Sequence, residues 1–508
     1  MPSRMKIHKK ISVNSVANIL RHFGVLSLTF VMTPYIIGQL GTEIYGVWVI
    51  VLAIIGYSGL LELGIQSAVV KLVAQYAAGR DIDQLNRIVS TSYAFFLSVG
   101  LAIFLVLMLF LQLILGYFEV DNVDSVGFVI VVLGLNLVLC MPNYVLAGVV
   151  FGHQKYHLKA FLDIVMGASN ALLVYLFLEN GYQLLGMAFA KTVTDIVGLF
   201  LTYIICLKIC PLLKIRPKFI SRSSARELFT FGGKIAASAT MTRFTATTEP
   251  VIVGAVLSAQ WAGIYAIPKR LADICKEISY TATIGFMPLF SELDAKGDND
   301  SARQLYLQYT RYILIAIVPL SAGLIVLGRD FLGLWIGEDF SSKVGRLIVW
   351  FGLALLLESF QPLLWRLMIG FGKVGYLVKV SVVVSAFYLV LAATLLMVVG
   401  IEGVGIAAVI MPIASHLFWF PYLCRYLGIS MADHLKESHS RPFSGFAIFM
   451  LFLFTLKHFM AVSSYPELVL FIACSTAFYG FLAWFFMLTF AERKYLDEFL
   501  RKRFSDGC

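Results

Sequence analysis

Charge is what this sequence has least of. Only 14% of its 508 residues are Asp, Glu, Lys or Arg, while 59% are hydrophobic and the mean hydropathy is +0.85. Soluble domains carry about a quarter charged residues, so an ordinary soluble fold is excluded. The seven cysteines are scattered, with Cys206 and Cys210 at the end of an apolar run, and they give no disulfide framework. A phosphate-binding G-x-x-x-x-G-K-[ST] loop is absent: FGGKIAAS, 231–238, has a Gly-Lys pair but neither the spacing nor the following Ser or Thr. His153 and His157 stand in a short basic segment without neighbouring acids, a poor zinc site, and no metal site is expected elsewhere. The basic start MPSRMKIHKK flows into a long apolar span with no small-residue cleavage site, so it reads as the entry to a first helix rather than a signal peptide. With no loop long enough for a catalytic domain, the enzyme classes are thin and transport remains.

What is present is apolar length. A helix needs about 20 apolar residues to cross a bilayer, and fourteen stretches qualify: 12–38, 44–66, 88–113, 126–150, 158–178, 183–207, 228–256, 262–289, 309–328, 344–370, 377–399, 402–423, 443–461 and 467–490. Backbone groups cannot be left unpaired in lipid, and these runs far exceed barrel strands, so they are expected to be helices. The fold class is an all-α polytopic membrane protein of about 14 transmembrane helices.

Lys and Arg set the orientation. They crowd alternate loops, including 4–10, 208–226 and 493–503, whereas the opposite loops hold only Arg329, Lys343, Arg346 and Lys457, and GYFEVDNVDSVG has three acids and no base. Both termini are therefore expected on the cytoplasmic side. The net charge of +10 is a topology signal, and no nucleic acid partner is expected.

The chain also repeats itself. PYIIG (34–38) returns as PVIVG (250–254), AAGRD (77–81) as DAKGD (294–298), VFGHQKY (150–156) as GFGKVGY (370–376), and GYQLLGMAFA (181–190) as GIEGVGIAAV (400–409), all about 218 residues apart. The expected organisation is a basic N-terminus (1–10), a six-helix bundle (11–207), a basic linker (208–225), a second six-helix bundle (226–423), a cytoplasmic loop (424–442), two added helices (443–490) and a tail (491–508). Six is even, so the two repeats run parallel, an architecture of transporters.

Charges inside the spans carry the functional signal. KRLADICKEI, 269–278, places Lys269, Arg270, Asp273, Lys276 and Glu277 on about a third of one helix. Facing lipid, each charge costs at least about 2.5 kcal/mol, so the stripe faces a partner helix or water. One reading is an i,i+4 network that tightens packing. The other is a wet cavity with positive surplus, because Arg21, Lys191, Lys234, Arg243 and Arg366 add cations that Glu62, Asp163, Asp195, Glu249 and Glu358 need not neutralise. Arg21, Arg243, Lys269, Arg270 and Lys276 are the candidate substrate-binding cations. Asn14, Asn18, Lys234, Glu249, Asp273, Glu277, Glu358 and Arg366 are candidates for lining the cavity or coupling it to an ion. Asn14, Asn18 and Arg21 share one face of the first helix, with Pro34 free to kink its outer end. Lys191 and Asp195, at i,i+4, read as a structural pair.

PYIIGQLGTEIYGVW (34–48) and GLLELGIQSAVVK (59–71) resemble polysaccharide biosynthesis proteins of the oligosaccharide-flippase type, relatives of Wzx-type O-antigen flippases in the MOP exporter superfamily. The likeness extends by architecture over essentially the whole chain. It implies transfer of an undecaprenyl-diphosphate-linked oligosaccharide from the inner to the outer leaflet of a bacterial cytoplasmic (inner) membrane, with the glycan polymerase machinery as a further partner. No organic cofactor is implied, and proton or sodium coupling is left open. The drug-exporting branch fits less well, since the first helix offers Arg21 and no carboxylate. The lipid II branch and a membrane glycan polymerase remain as alternatives.

Overall fold

In the computed structural model, residues 2–116, 123–283, 285–490 and 492–494 are described, with side chains described for all of these except 2–20, 22, 23, 25, 60–63, 123, 124, 231, 233–240 and 242. No strand occurs among the described residues. The helices are α1 (Pro2–Gly56), α2 (Gly59–Ala78), α3 (Ile82–Leu109), α4 (Leu111–Leu115), α5 (Val123–Cys140), α6 (Asn143–Gly152), α7 (Tyr156–Glu179), α8 (Gln183–Ile209), α9 (Arg222–Val256), α10 (Ala259–Thr283), α11 (Phe286–Ala295), α12 (Asn299–Trp335), α13 (Glu338–Val344), α14 (Leu347–Glu358), α15 (Gln361–Gly370), α16 (Val374–Val399), α17 (Glu402–Leu427), α18 (Met431–His434), α19 (Ser440–Phe459) and α20 (Tyr465–Leu482). All-helical architecture is what a chain this apolar must adopt when its backbone groups can be satisfied only within the segment.

Among the described residues, eleven helical stretches are long and apolar enough to cross a membrane. The protein is a multi-pass membrane protein. Three fewer crossings stand out than the fourteen expected. The first span and the start of the second run on in one helix, α1, across a bend at Gly41, whose φ of 78° and ψ of 166° leave the helical region. The seventh and eighth lie on α9 and α10, whose polar and charged residues dilute their hydropathy.

The chain forms two compact units, Met1–Gly263 and Ile264–Cys508. In the first, α2 packs on α6 and α9, α1 on α7, and α8 on α5 and α7. Its core joins Val69 and Val73 of α2, Ile88 and Phe96 of α3, and Val145 and Val149 of α6. The basic linker is docked rather than free. Buried Asn86, Ser90 and Thr91, which share one face of α3, bond Leu212 O, Lys214 N, Lys214 O, Arg216 N and Ser221 N at 2.8–3.3 Å. The compact units divide within α10, between Gly263 and Ile264. In the second unit, α12, α14 and α17 pack together, α16 lies on α17, α11 on α15, and α19 on α12.

The repeat is visible in the elements. α3 begins at Ile82 and α12 at Asn299; α6 spans Asn143–Gly152 and α15 Gln361–Gly370; α7 begins at Tyr156 and α16 at Val374; α8 at Gln183 and α17 at Glu402. The turns match bond for bond. Gly79, Arg80 and Asp81 donate to Gln75, Ala77 and Tyr76, and Lys296, Gly297 and Asp298 donate to Glu292, Asp294 and Leu293. Arg80 (φ 56°) and Gly297 (φ 68°) occupy the same left-handed position. Asp81 and Asp298 then cap the next helix, accepting from Gln84 N and Ser301 N at 3.0 Å. A second match corrects the letter alignment of VFGHQKY. His153, Gln154 and Lys155 donate to Val149, Phe151 and Val150, as Phe371, Gly372 and Lys373 donate to Leu367, Ile369 and Met368. Gln154 thus corresponds to Gly372, and 150–156 pairs with 368–374 rather than 370–376. The turn repeats its left-handed residue, not its Phe-Gly letters.

Candidate functional site: charged side chains on the spanning helices

In the first unit, Arg21 of α1 donates to Asp163 of α7 at 3.2 Å, and Lys159, one turn before Asp163, meets the other carboxylate oxygen. Two cations share one acid. Arg243 of α9 is exposed and lies over Gly59 at the start of α2, where a Cβ would come 2.7 Å from its Nη2. Arg243 has no ion-pair partner among the described residues. Tyr57, in the break between α1 and α2, donates to Thr248 of α9 at 2.8 Å and packs on Phe244. Glu249 is buried at 4% exposure. The side chains of Asn14, Asn18 and Lys234 lie outside those described. Lys191 and Asp195 form the expected pair at 2.9 Å, and Asn136 of α5 donates to the same carboxylate at 2.9 Å.

In the second unit, the α10 stripe divides. Lys269 bonds Asp273 at 2.6 Å, the i,i+4 link read from the spacing. Lys276 reaches across to Glu358, the last residue of α14. Glu277 lies half-buried on the same helix, and Arg270 is exposed. Arg270 and Arg366 of α15 have no ion-pair partner among the described residues. Glu358 stands where the helix through 347–370 is interrupted: Ser359 and Phe360 separate α14 from α15, and Pro362 sits in the first turn of α15. Proline there costs little, because that turn's N–H groups have no intrahelical acceptor. Gln361 donates to Ser415 of α17 at 3.0 Å, and a His416 ring nitrogen meets Leu357 O at 3.0 Å. Sequence reasoning placed Glu358 and Lys276 inside spans separately, but not their pairing. It missed His416 altogether, because a lone histidine in an apolar helix carries no spacing signal.

The cations therefore fall into two groups. Arg21, Lys269 and Lys276 are held by carboxylates. Arg243, Arg270 and Arg366 have no carboxylate partner among the described residues; a guanidinium group is planar and multiply donating and can match phosphate oxygens bidentately.

Known proteins share this sequence and architecture. An uncharacterized membrane protein EpsK of Bacillus subtilis (strain 168) is 22% identical over 97% of this chain and 98% of its own length. A putative O-antigen transporter of Shigella flexneri is 22% identical over 64% of this chain and 77% of its own. A probable low-salt glycan biosynthesis flippase, Agl15, of Haloferax volcanii is 22% identical over 82% and 83%. Among solved structures, the lipid II flippase MurJ in an inward closed conformation matches with TM-score 0.72 at 13% identity, over 92% of this chain and 97% of that one. A multidrug resistance MATE family transporter of the MOP superfamily matches with TM-score 0.62 at 15% identity, over 79% and 98%. The fold is that of these transporters, and the family resemblance of PYIIGQLGTEIYGVW and GLLELGIQSAVVK holds. The model of the family described as polysaccharide biosynthesis protein matches residues 39–345, more than half of the sequence, and the chain belongs to that family.

Proposed function

We propose that the chain is a flippase that moves a polyprenyl-diphosphate-linked oligosaccharide, an O-antigen, capsule or exopolysaccharide unit, from the inner to the outer leaflet of the bacterial cytoplasmic membrane. The names of its relatives, an O-antigen transporter and a glycan biosynthesis flippase, support this reading. So does the chemistry of the substrate. Each sugar hydroxyl taken unpaired into hydrocarbon costs roughly 2–7 kcal/mol, so the glycan needs a hydrated path while the polyprenyl tail stays in lipid. The diphosphate needs cations at membrane depth. The observation that carries the proposal is that Arg243 of α9, Arg270 of α10 and Arg366 of α15 have no carboxylate partner among the described residues. Arg21, Lys269 and Lys276 are the reserve cations, released when their acids are neutralised.

The mechanism proposed is alternating access by two parallel six-helix repeats, 11–207 and 226–423, with both termini cytoplasmic and the polymerase machinery taking the product. The test is complementation of a panel of bacterial strains, one lacking its O-antigen flippase and one depleted of its lipid II flippase. Restored surface glycan in the first, at normal membrane level, is expected. Rescue of the second alone would move the substrate to lipid II. Loss of drug sensitivity without either rescue would make the protein a cation-coupled multidrug antiporter.

A further inference from the structure

The basic linker borders a cavity in the first unit, and the two make one surface. Hydrogen bonds from Asn86, Ser90 and Thr91 of α3 fix the linker backbone at Leu212, Lys214, Arg216 and Ser221, so its side chains project from a fixed strip. Lys208, Lys214, Arg216, Lys218, Arg222 and Arg226 are all exposed. No Asp or Glu occurs from 196 to 226, and none of these six cations has an ion-pair partner among the described residues. The next acid along the chain, Glu227, is engaged elsewhere: it accepts from the Tyr76 hydroxyl at 2.9 Å.

The cavity has a volume of about 240 Å³ and is lined by Ile65 of α2, Ala94 and Phe95 of α3, Ile220 of the linker, and Leu228 and Phe229 of α9, among others. Hydroxyls on its α3 wall are already used. Thr91 Oγ1 accepts from Ser221 N, while Ser92 and Ser98 donate to Ile88 O and Ala94 O. An occupant is therefore offered apolar contact. Ile220 and Phe229 are 50% and 47% exposed, so the cavity opens outward. Exposed Leu97 and Leu101 carry the apolar surface on along α3, one of the helices long and apolar enough to cross a membrane. Helical spacing joins the cavity to the cations: Arg222, Ala225, Arg226 and Phe229 stand at i, i+3, i+4 and i+7 on one face of α9, and Ala225 and Phe229 both line the cavity.

We propose that this surface binds an anionic phospholipid of the surrounding bilayer, with an acyl chain in the cavity and the phosphate on Arg222, Arg226 and the neighbouring linker cations. Charge complementarity selects the occupant. A zwitterionic lipid fills the cavity but leaves the cationic surplus unanswered, and a soluble phosphate leaves the apolar half in water. Guanidinium groups take phosphate oxygens bidentately, and the first turn of α9, where Ser221 supplies no side-chain cap, adds the positive end of a helix dipole. The site does not depend on the flippase reading.

The test is native mass spectrometry of the purified full-length protein in detergent, titrated with phosphatidylglycerol or with phosphatidylcholine of the same acyl chains. Wild type is expected to bind phosphatidylglycerol at least about tenfold more tightly. Arg222→Gln with Arg226→Gln should weaken phosphatidylglycerol at least about fivefold and leave phosphatidylcholine unchanged. Ala225→Leu and Ser98→Leu fill the cavity from opposite walls and should each weaken phosphatidylglycerol. Two such variants guard against one failing to fold, which thermal unfolding in lipid-free detergent checks. Equal binding of the two lipids by wild type overturns the proposal, as does undiminished phosphatidylglycerol binding in the folded cavity variants. Glycerol 1-phosphate binding as tightly as phosphatidylglycerol would make the site one for a headgroup alone, and displacement of phosphatidylglycerol by equimolar undecaprenyl phosphate would give the cavity to a polyprenyl tail; either result overturns it too.

Discussion

At the scale of single residues, the deciding property is whether a charged side chain on a long helix already has a partner. Arg270 is exposed with no ion-pair partner among the described residues, so its removal should spare folding and remove function. Arg270→Ala is expected to insert at normal level with little surface glycan, and Arg270→Lys, which keeps charge but loses the bidentate fork, to be intermediate in the complementation assay. Lys276 is the opposite case. Lys276→Ala leaves Glu358 without its cation and should destabilise the purified protein by about 1–3 kcal/mol, and Lys276→Ala with Glu358→Gln should recover most of that loss in thermal unfolding. Lys191 belongs to neither group. Asp195 retains Asn136 at 2.9 Å when Lys191 is replaced, so Lys191→Ala should cost less than about 1 kcal/mol and leave transport intact. The sequence showed the α10 stripe and the Lys191–Asp195 pair because both obey helical spacing. It could not show that Lys276 meets Glu358 or that Arg21 joins Lys159 at Asp163, since Arg21 and Asp163 are 142 residues apart.

Elements are limited by how closely their backbones approach. Gly46 of α1 packs against the start of α10 so tightly that a Cβ would lie 1.7 Å from Ala259 O. Nothing lies within 4 Å of the Cβ position of Gly38 on the same helix. Gly46→Ala is expected to lower stability by about 1–3 kcal/mol through overpacking, whereas Gly38→Ala should be neutral or stabilising by up to about 1 kcal/mol, both read from thermal unfolding. The repeated caps give a second test. Asp81→Ala should cost α3 about 1 kcal/mol. At Asp298, hydrogen bonds from Ser301 hold the carboxyl below its ordinary range. Its contribution is therefore complete above the unfolded carboxylate pKa and is lost as pH falls through the depressed folded value. Asp298→Asn should flatten the acid limb of the stability–pH profile slightly.

At the scale of the whole molecule, the proposed cycle requires helices to separate and close. In the first unit, Gln260 at the start of α10 donates to Thr42, just past the Gly41 bend, at 3.2 Å. Cysteines at Thr42 and Gln260, joined by a short bifunctional reagent, should hold this contact and stop glycan export reversibly; continued export by the cross-linked protein would mean the contact does not open during the cycle. The sequence by itself determined the all-helical membrane architecture and the repeat near 218 residues. Those follow from composition and periodicity, because lipid admits only helices whose backbone bonds close within the segment. Only the tertiary structure decided that α9 packs on α2, that the linker docks along α3, that Lys276 finds Glu358, and that His416, His434 and His439 meet around Phe360 and Phe420. The physical reason is range: hydrophobic periodicity acts over neighbouring turns, whereas ion pairs and ring contacts join residues far apart in sequence, and one apolar helix looks much like another until packing selects its neighbours.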